Sequence, residues 1–508
     1  MKATKASLVR ILLFTTTLSV LSFHFELPLI GNHILKKHWV LLPLSKSMVI
    51  GSRTIGSRTS YYYSIQTRSR QSSVLKMITT RSTKKESSEG KSLEKSQKSS
   101  DRIIIWSHEL EAEVSPLNPW HDLCVKPAEL RPSATLTNGQ CFNWMAVERR
   151  ELDSAEPSDS EIIDLPSKKS AWGVHNASEW LGVINQTAYS IRETPTTTLF
   201  RILSNDTDAE LAKETLYNYF QLNIPLEPLY REWSKQDTRR MAIIADRIQG
   251  CRILRQDPVE CLFSFICSSN NNIPRITKIL RRFREEYGNK VVEVPARSLD
   301  SIDTKFKMSF HSFPRLDQFI SASEQDFRDM GLGYRAKYFN KTRDLLMECG
   351  GENYLLGLRE KDEQYVQEEL IKLYGIGRKV SDCVALFSLD STRAIPVDVH
   401  VQNIACRDYN STFLDSGKSL TPKVYKAVGD IFRERFPSYS GWAHSLLFVA
   451  ELPSFRAALP VDMVNEMDEW RRNEQKKNAN KRQEGKSSAN NSSELNKNAK
   501  KKKVKVDK

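Results

Sequence analysis

One glycine turn, Leu373-Tyr374-Gly375-Ile376-Gly377, constrains this 508-residue chain more than any other segment. An amphipathic run carrying Leu370 and Leu373 ends at it, and a second run begins just after it. The pattern is a helix–turn–helix, with glycines supplying the sharp reversal. Such a turn leaves backbone N–H groups free at the start of the second helix, where they can grip a phosphate without reading sequence. Lys379 falls in the first turn of that helix. The positive helix end disfavours a charged lysine, as a nucleophilic amine requires. Asp398 follows nineteen residues later, in Val397-Asp398. The segment reads as a grip on DNA backbone, through Gly375 and Gly377, with a reactive amine beside it.

Charge adds less than the pI of 9.2 suggests. Residues 1–100 hold 17 Lys and Arg against 4 acids, and 471–508 hold 14 against 4. The ends contribute +13 and +10 to a net +14, which leaves 101–470 at −9. Any DNA-binding face on the body must therefore be a local patch. The eight cysteines contain no C-x-x-C pair, which argues against a structural zinc site and for reduced intracellular thiols.

Four regions follow from composition and period. Residues 1–100 are expected to be disordered: an apolar run at 11–23 too short to span a bilayer comfortably, then a stretch poor in acids that fits an organellar transit segment, then a Ser/Lys/Glu-rich linker at 82–100. A secretory signal, or a start at Met48 or Met77, are the competing readings. Residues 101–225 read as a small antiparallel sheet domain. Runs at Thr135-Leu136, 141–144, 180–183, 188–191 and 198–202 supply its strands, and an acidic loop covers 151–163. Residues 226–455 are helical. Asp257-Pro258 opens one helix, Pro274 the next, and more are expected at about 363–374, 378–389, 399–408, 423–435 and 440–452. Residues 456–508 read as a basic disordered tail whose Lys500–Lys503 run is either a nuclear localisation signal or a solvated end.

The hairpin followed by Ile395-Pro396-Val397-Asp398 resembles the helix-hairpin-helix (HhH-GPD) DNA glycosylases, whose hairpin precedes a Gly/Pro-rich loop and an Asp. Lys379 narrows the resemblance to the branch with lyase activity. Further motifs make the chain look like the eukaryotic 8-oxoguanine DNA glycosylase/AP lyase family over roughly Trp120 to Leu452. They are Thr135–Trp144, Gln256-Asp257-Pro258 through Arg275, Gly331–Arg335 and Gly441–Phe448.

The resemblance implies an α+β fold in which a small N-terminal antiparallel sheet domain flanks two helical lobes, with DNA and a base pocket between the lobes. A glycosylase must flip its target nucleotide out of the duplex and fill the gap. The resemblance gives Asn270 and Arg275 the abandoned opposite base, Tyr334 and Arg335 the wedge, and His400 a phosphate. Lys379 would attack the sugar C1′ and form a Schiff base that allows elimination of the 3′ phosphate. Asp398 would stay ionised, stabilise positive charge on the sugar and cap the helix that follows.

Around the extruded base the resemblance places the Gly139 carbonyl, Cys383, Pro396, Asp398, His444 and the ring of Phe448. The N7 of 8-oxoguanine carries a hydrogen where guanine has a lone pair. A carbonyl at Gly139 then discriminates by a buried hydrogen bond whose loss costs about 1–3 kcal/mol. Read alone, Asn138-Gly139 is simply a hairpin turn, Cys383 a core cysteine and Phe448 a core aromatic.

Three residues depart from the family pattern: Tyr374 stands where Pro is common, Phe387 where Met is expected, and His444 where the best-known members use Gln. Only Cys406 follows Asp398, which excludes the iron–sulfur cluster of endonuclease III-like relatives. No metal or cofactor is implied. The expected partner is damaged double-stranded DNA, bound by a monomer without stable membrane association, in the nucleus or, through the N-terminal segment, a mitochondrion or other organelle. Rival readings are the same scaffold acting on another oxidised base, and a noncatalytic DNA-binding hairpin module.

Overall fold

The computed structural model describes residues 118–149, 179–204, 207–298, 301–409 and 420–477, together with the strand backbone at 104–106. In a separate unit, Met1–Lys95, it describes strand backbone alone: Ser47–Ile55 pairs antiparallel with Arg58–Gln66, which also pairs with Val74–Leu75, and Leu21–Phe23 pairs with Trp39–Leu41. Residues 11–20 of the apolar run at 11–23, the linker at 82–100, the acidic loop at 151–163 and the Lys500–Lys503 run lie outside the described residues.

In the second unit, Ser96–Lys508, the sheet is built around a meander of Met145–Arg149, Glu179–Ile184, Thr187–Glu193 and Thr198–Ile202, edged by His121–Asp122. One face packs Trp180, Tyr189, Ile191 and Phe200 against Leu216 and Phe220, at the end of helix Ala209–Tyr219. The other face packs Leu181, Val183 and Ala188 against Val294.

Two features differ from the expected sheet. A hairpin, Lys290–Ser298 with Ser301–His311, leaves the helical region and joins the sheet edge through Ile104–Trp106, whose pairing with Met145–Arg149 is parallel. The strand expected at Thr135-Leu136 is instead the short helix Pro132–Thr135, started by proline in its first turn. That segment makes no strand ladder: Arg131 N donates to Gly250 O at 2.8 Å and Thr135 Oγ1 to the same oxygen at 3.1 Å, while Ser133 N donates to the Glu193 carboxylate at 3.0 Å.

The helices share one apolar core running from Leu226 to Met467, by way of edge-packed Phe263, Phe283, Phe319 and Phe339. Their contacts sort them into two lobes. Pro258–Ser268, Ile273–Tyr287, Ala336–Cys349, Glu363–Ile371 and Arg378–Ser388 pack together. Leu226–Gln236 and Met241–Arg247 pack instead with Val399–Asp408, Pro422–Arg435 and Ser440–Val449. The expected caps are present, since Asp257 accepts from Glu260 N and Asp398 from His400 N and Val401 N.

Helix 461–477 stands where a disordered tail is expected from 456. Buried Met463 and Met467, and the pairs Arg240–Glu466 at 2.7 Å and Arg456–Asp468 at 2.6 Å, fix it to the body. Met463, Val464, Met467 and Trp470 recur at helical spacing, a short apolar stripe obscured in the sequence by the charged residues around it.

Candidate active site

Gly375 makes the hairpin turn at φ +78°, a conformation that L side chains rarely adopt, and a Cβ there would lie 2.6 Å from the Tyr338 ring. Only glycine fits. The preceding helix, Glu363–Ile371, is capped by Asp362, whereas Arg378–Ser388 starts at Gly377 with no side-chain cap. Its first N–H groups are therefore left facing outward beside a residue with no side chain. Tyr374, the departure from Pro, is 44% exposed, carries Lys341 Nζ at 4.7 Å over its ring, and is anchored by Thr342 Oγ1 on its carbonyl at 3.0 Å.

Lys379 Nζ lies 2.9 Å from Asp398 Oδ2, with the lysine side chain 50% and the carboxylate 18% exposed. The two residues come from opposite lobes. Burial pulls the lysine toward its neutral form, but the interactions with Cys383 and Asp398 outweigh it, and its pKa rises above the ordinary value. Burial in turn pushes Cys383 up to about 12, so it is a neutral thiol at physiological pH and the lysine's charge is then held by Asp398. Asp398 is pushed up by burial but drawn below the ordinary carboxylate range by Lys379 and the Val401 N–H. The helix-end argument thus predicted the wrong direction for the resting enzyme: a carboxylate at 2.9 Å dominates the partial charge of a helix terminus.

Around this pair stand several of the residues expected to meet the base. Cys383 lies one turn beyond Lys379 and is buried, as is Pro396. His400 sits edge-on to the half-buried Phe448, ring centroids 6.3 Å apart. His444 is 4% exposed, stands edge-on to Phe432, and neither ring nitrogen has a hydrogen-bond partner. Burial, with Asp398 opposing, lowers its pKa to about 4, so the imidazole is neutral at physiological pH. Phe387 stacks on Phe265 at 5.5 Å within the helical core.

Gly139 stands at φ +89° between two anchored neighbours. Asn138 Nδ2 donates to Ala134 O at 3.0 Å, and Gln140 Nε2 donates to Thr135 O at 2.8 Å and Arg252 O at 2.9 Å. A Cβ on Gly139 would touch Ile273 Cδ1 at 3.5 Å, ordinary contact, so backbone conformation rather than space selects glycine. The residue lies in a braced loop, not a hairpin turn.

Asn270, at φ +49°, and Arg275 are exposed at the junction of helices Pro258–Ser268 and Ile273–Tyr287. Asn272 caps the second of these by accepting from Arg275 N at 3.1 Å. Tyr334 is 49% exposed, as a wedge requires, but Arg335 is 2% exposed. Arg335 donates to the carbonyls of Ser269 and Asn270 and stacks on Tyr334 at 4.5 Å. The arginine expected in the wedge is thus a strut beneath it, its donors taken up by the two carbonyls of the 269–270 turn.

Reasoning from sequence also missed Asp382 and Tyr425, buried polar residues bonded to each other behind the reactive pair. The available signal was an acid on the inner face of an apolar helix, three residues past Lys379.

Fold and site together define a helix-hairpin-helix base-excision protein. Residues 122–262 match the 8-oxoguanine DNA glycosylase N-terminal domain, and 263–426 match the HhH-GPD superfamily of base excision DNA repair proteins. The chain is 38% identical over 304 residues to the N-glycosylase/DNA lyase OGG1 of Arabidopsis thaliana, covering 59% of this chain and 79% of that one. It is 36% identical over 266 residues to an N-glycosylase/DNA lyase of Saccharomyces cerevisiae, covering 47% and 66%. The apo crystal structure of Clostridium acetobutylicum 8-oxoguanine glycosylase/lyase superposes with a TM-score of 0.50 at 26% identity, over 64% of this chain and 94% of that one. The chain belongs to the 8-oxoguanine DNA glycosylase family of N-glycosylase/DNA lyases.

Proposed function

We propose that this protein excises 8-oxoguanine from duplex DNA, opposite cytosine, and nicks the resulting abasic site through a Schiff base on Lys379. The observation that carries the reading is the half-exposed Lys379 amine 2.9 Å from Asp398, at the uncapped start of the hairpin helix. The hairpin N–H groups hold the backbone, Tyr334 and Asn270 occupy the gap with Arg275 beside them, and the extruded base enters between Phe448, Cys383 and Pro396. Asp398 stabilises positive charge on the sugar as the glycosidic bond weakens. Lys379, once it has passed on its proton, bonds to C1′ while the base leaves with the bonding pair and picks up a proton. The nitrogen lone pair then displaces O4′, which takes up a proton as the sugar ring opens, leaving a protonated Schiff base between Lys379 and C1′. Loss of a proton from C2′ then expels the 3′ phosphate.

His444 supports a pocket that waits for a polar edge. A buried polar group without a partner costs about 1–3 kcal/mol. A neutral imidazole has one donor and one acceptor to offer the pairing edge of the base. The Gly139 carbonyl takes the N7 hydrogen of the lesion. We assign the protein a monomeric mode of action on damaged DNA in the nucleus.

Borohydride trapping on duplexes carrying 8-oxoguanine opposite each base tests the reading, with wild type and Lys379→Gln. Wild type should give a covalent adduct, strongest opposite cytosine, and the variant none. No adduct with wild type overturns the lysine assignment. Adducts only on duplexes with a different oxidised base would favour the rival substrate.

A further inference from the structure

Asp382 is a buried acid three residues beyond Lys379, and the chemistry above does not use it. Both its oxygens are bound: Gln367 Nε2 donates to Oδ1 at 2.6 Å, and the Tyr425 hydroxyl donates to Oδ2 at 2.6 Å. Tyr425 comes from helix Pro422–Arg435, in the other lobe. Its hydroxyl oxygen also accepts from the Val397 N–H at 3.2 Å and lies 3.2 Å from the Ile395 carbonyl. Pro396, between those two residues, has no N–H to offer. One hydroxyl therefore links the three residues that lead into Asp398 to the helix that carries Lys379. Ile395 and Val397 are buried, so water does not replace a lost partner there. The earlier part of the loop has anchors of its own: Arg433 Nε on the Arg393 carbonyl, Glu363 on the Arg393 N–H and Gly441 N on the Thr392 carbonyl.

We propose that Tyr425 and Asp382 are positioning residues that set the separation and aim of Lys379 and Asp398 across the boundary between the lobes. The proposal rests on the reading of Lys379 and Asp398 given above. Covalent chemistry is sensitive to such placement, since a displacement near 1 Å costs about a hundredfold in rate. The bond from Tyr425 is strongest when its acceptor is an ionised carboxylate. Burial raises Asp382 to about 6, with Tyr425, Gln367 and Arg433 opposing and Glu363 assisting. The groups facing it are thus Tyr425 and Arg433 on one neighbouring helix, Glu363 and Gln367 on the other, and Cys383 on its own. Below about pH 6 Asp382 takes a proton and the link to the 395–397 segment weakens.

Single-turnover excision and borohydride trapping of Tyr425→Phe, Asp382→Asn and Gln367→Met test this, alongside affinity for a duplex carrying a stable abasic analogue. Tyr425→Phe should slow both reactions about tenfold, equivalent to about 1.4 kcal/mol, with DNA affinity within twofold of wild type. Asp382→Asn keeps a neutral acceptor and should lie between the two. It should also abolish the extra steepening of the wild-type pH–rate profile below about pH 6. Gln367→Met touches the carboxylate but not the loop and should react within threefold of wild type. Rates for Tyr425→Phe within twofold of wild type overturn the proposal, as does an equal loss in Gln367→Met or a parallel loss of affinity. A wild type that traps no DNA overturns the lysine assignment and this inference with it, whereas normal wild-type trapping with an unchanged Tyr425→Phe overturns this inference alone.

Discussion

Asp398 holds three charges and dipoles at once, which makes it the residue whose replacement separates chemistry from stability. Asparagine is as good a helix N-cap as aspartate, so Asp398→Asn should fold normally and bind DNA, yet lose about 10²–10³-fold in single-turnover excision. Unchanged rates would contradict its electrostatic role. Lys379 gives a pH test with a definite sign. Its pKa is raised and it must react as the neutral amine, so trapping rates should climb about tenfold per pH unit through neutrality, with no plateau below pH 9. A plateau near pH 7 would mean that bound DNA reverses the resting shift. The ion pair's modest contribution to stability follows both shifts: it is lost as pH falls through the lowered Asp398 value and as pH rises through the raised Lys379 value. At His444 function and stability oppose each other. His444→Leu removes two orphaned buried nitrogens and should raise Tm by about 2 °C while weakening excision. A fall in both would mean that the histidine serves the core instead.

At the scale of elements, the hairpin and the wedge are legible in the sequence to different degrees. The glycine turn, the Asp257 and Asp398 caps and the helices after 399 were all readable, because caps and glycines act on backbone within a few residues. Gly375→Ala brings both strain and a methyl 2.6 Å from Tyr338, and should weaken binding to undamaged duplex severalfold with a stability loss of about 2 kcal/mol. Full affinity in that variant would remove the hairpin from the DNA interface. The wedge was less legible. Tyr334 and Arg335 are adjacent in sequence, and only folding sends one outward and the other under the Ser269–Asn270 turn. The helix at Pro132–Thr135 was missed for a related reason: its stabilising partners are Glu193 and the segment at 250–252, all distant in sequence.

On the scale of the whole molecule, the C-terminal helix at 461–477 is packed against the body and the Lys500–Lys503 run follows it in sequence. Removing 478–508 should leave Tm unchanged but reduce salt-sensitive binding to random duplex. Removing 461–508 also exposes the site of Met463 and Met467 and breaks the Arg240–Glu466 pair, and should lower Tm by several degrees. Equal Tm for the two truncations would show that the helix at 461–477 contributes nothing. The sequence by itself determined the hairpin, through glycines at short, fixed spacing before Lys379, and its resemblance to a known family implied the reaction class and the lesion through motifs at Lys379, Asp398 and Gly139. Only the tertiary structure decided the charge state of Lys379, the orphaned nitrogens of His444, the burial of Arg335 and the Tyr425 link between the lobes. Each of these depends on what stands within a few ångströms across the boundary between chain segments, and Coulomb energy, desolvation and hydrogen bonding fall off with distance in space, not along the chain.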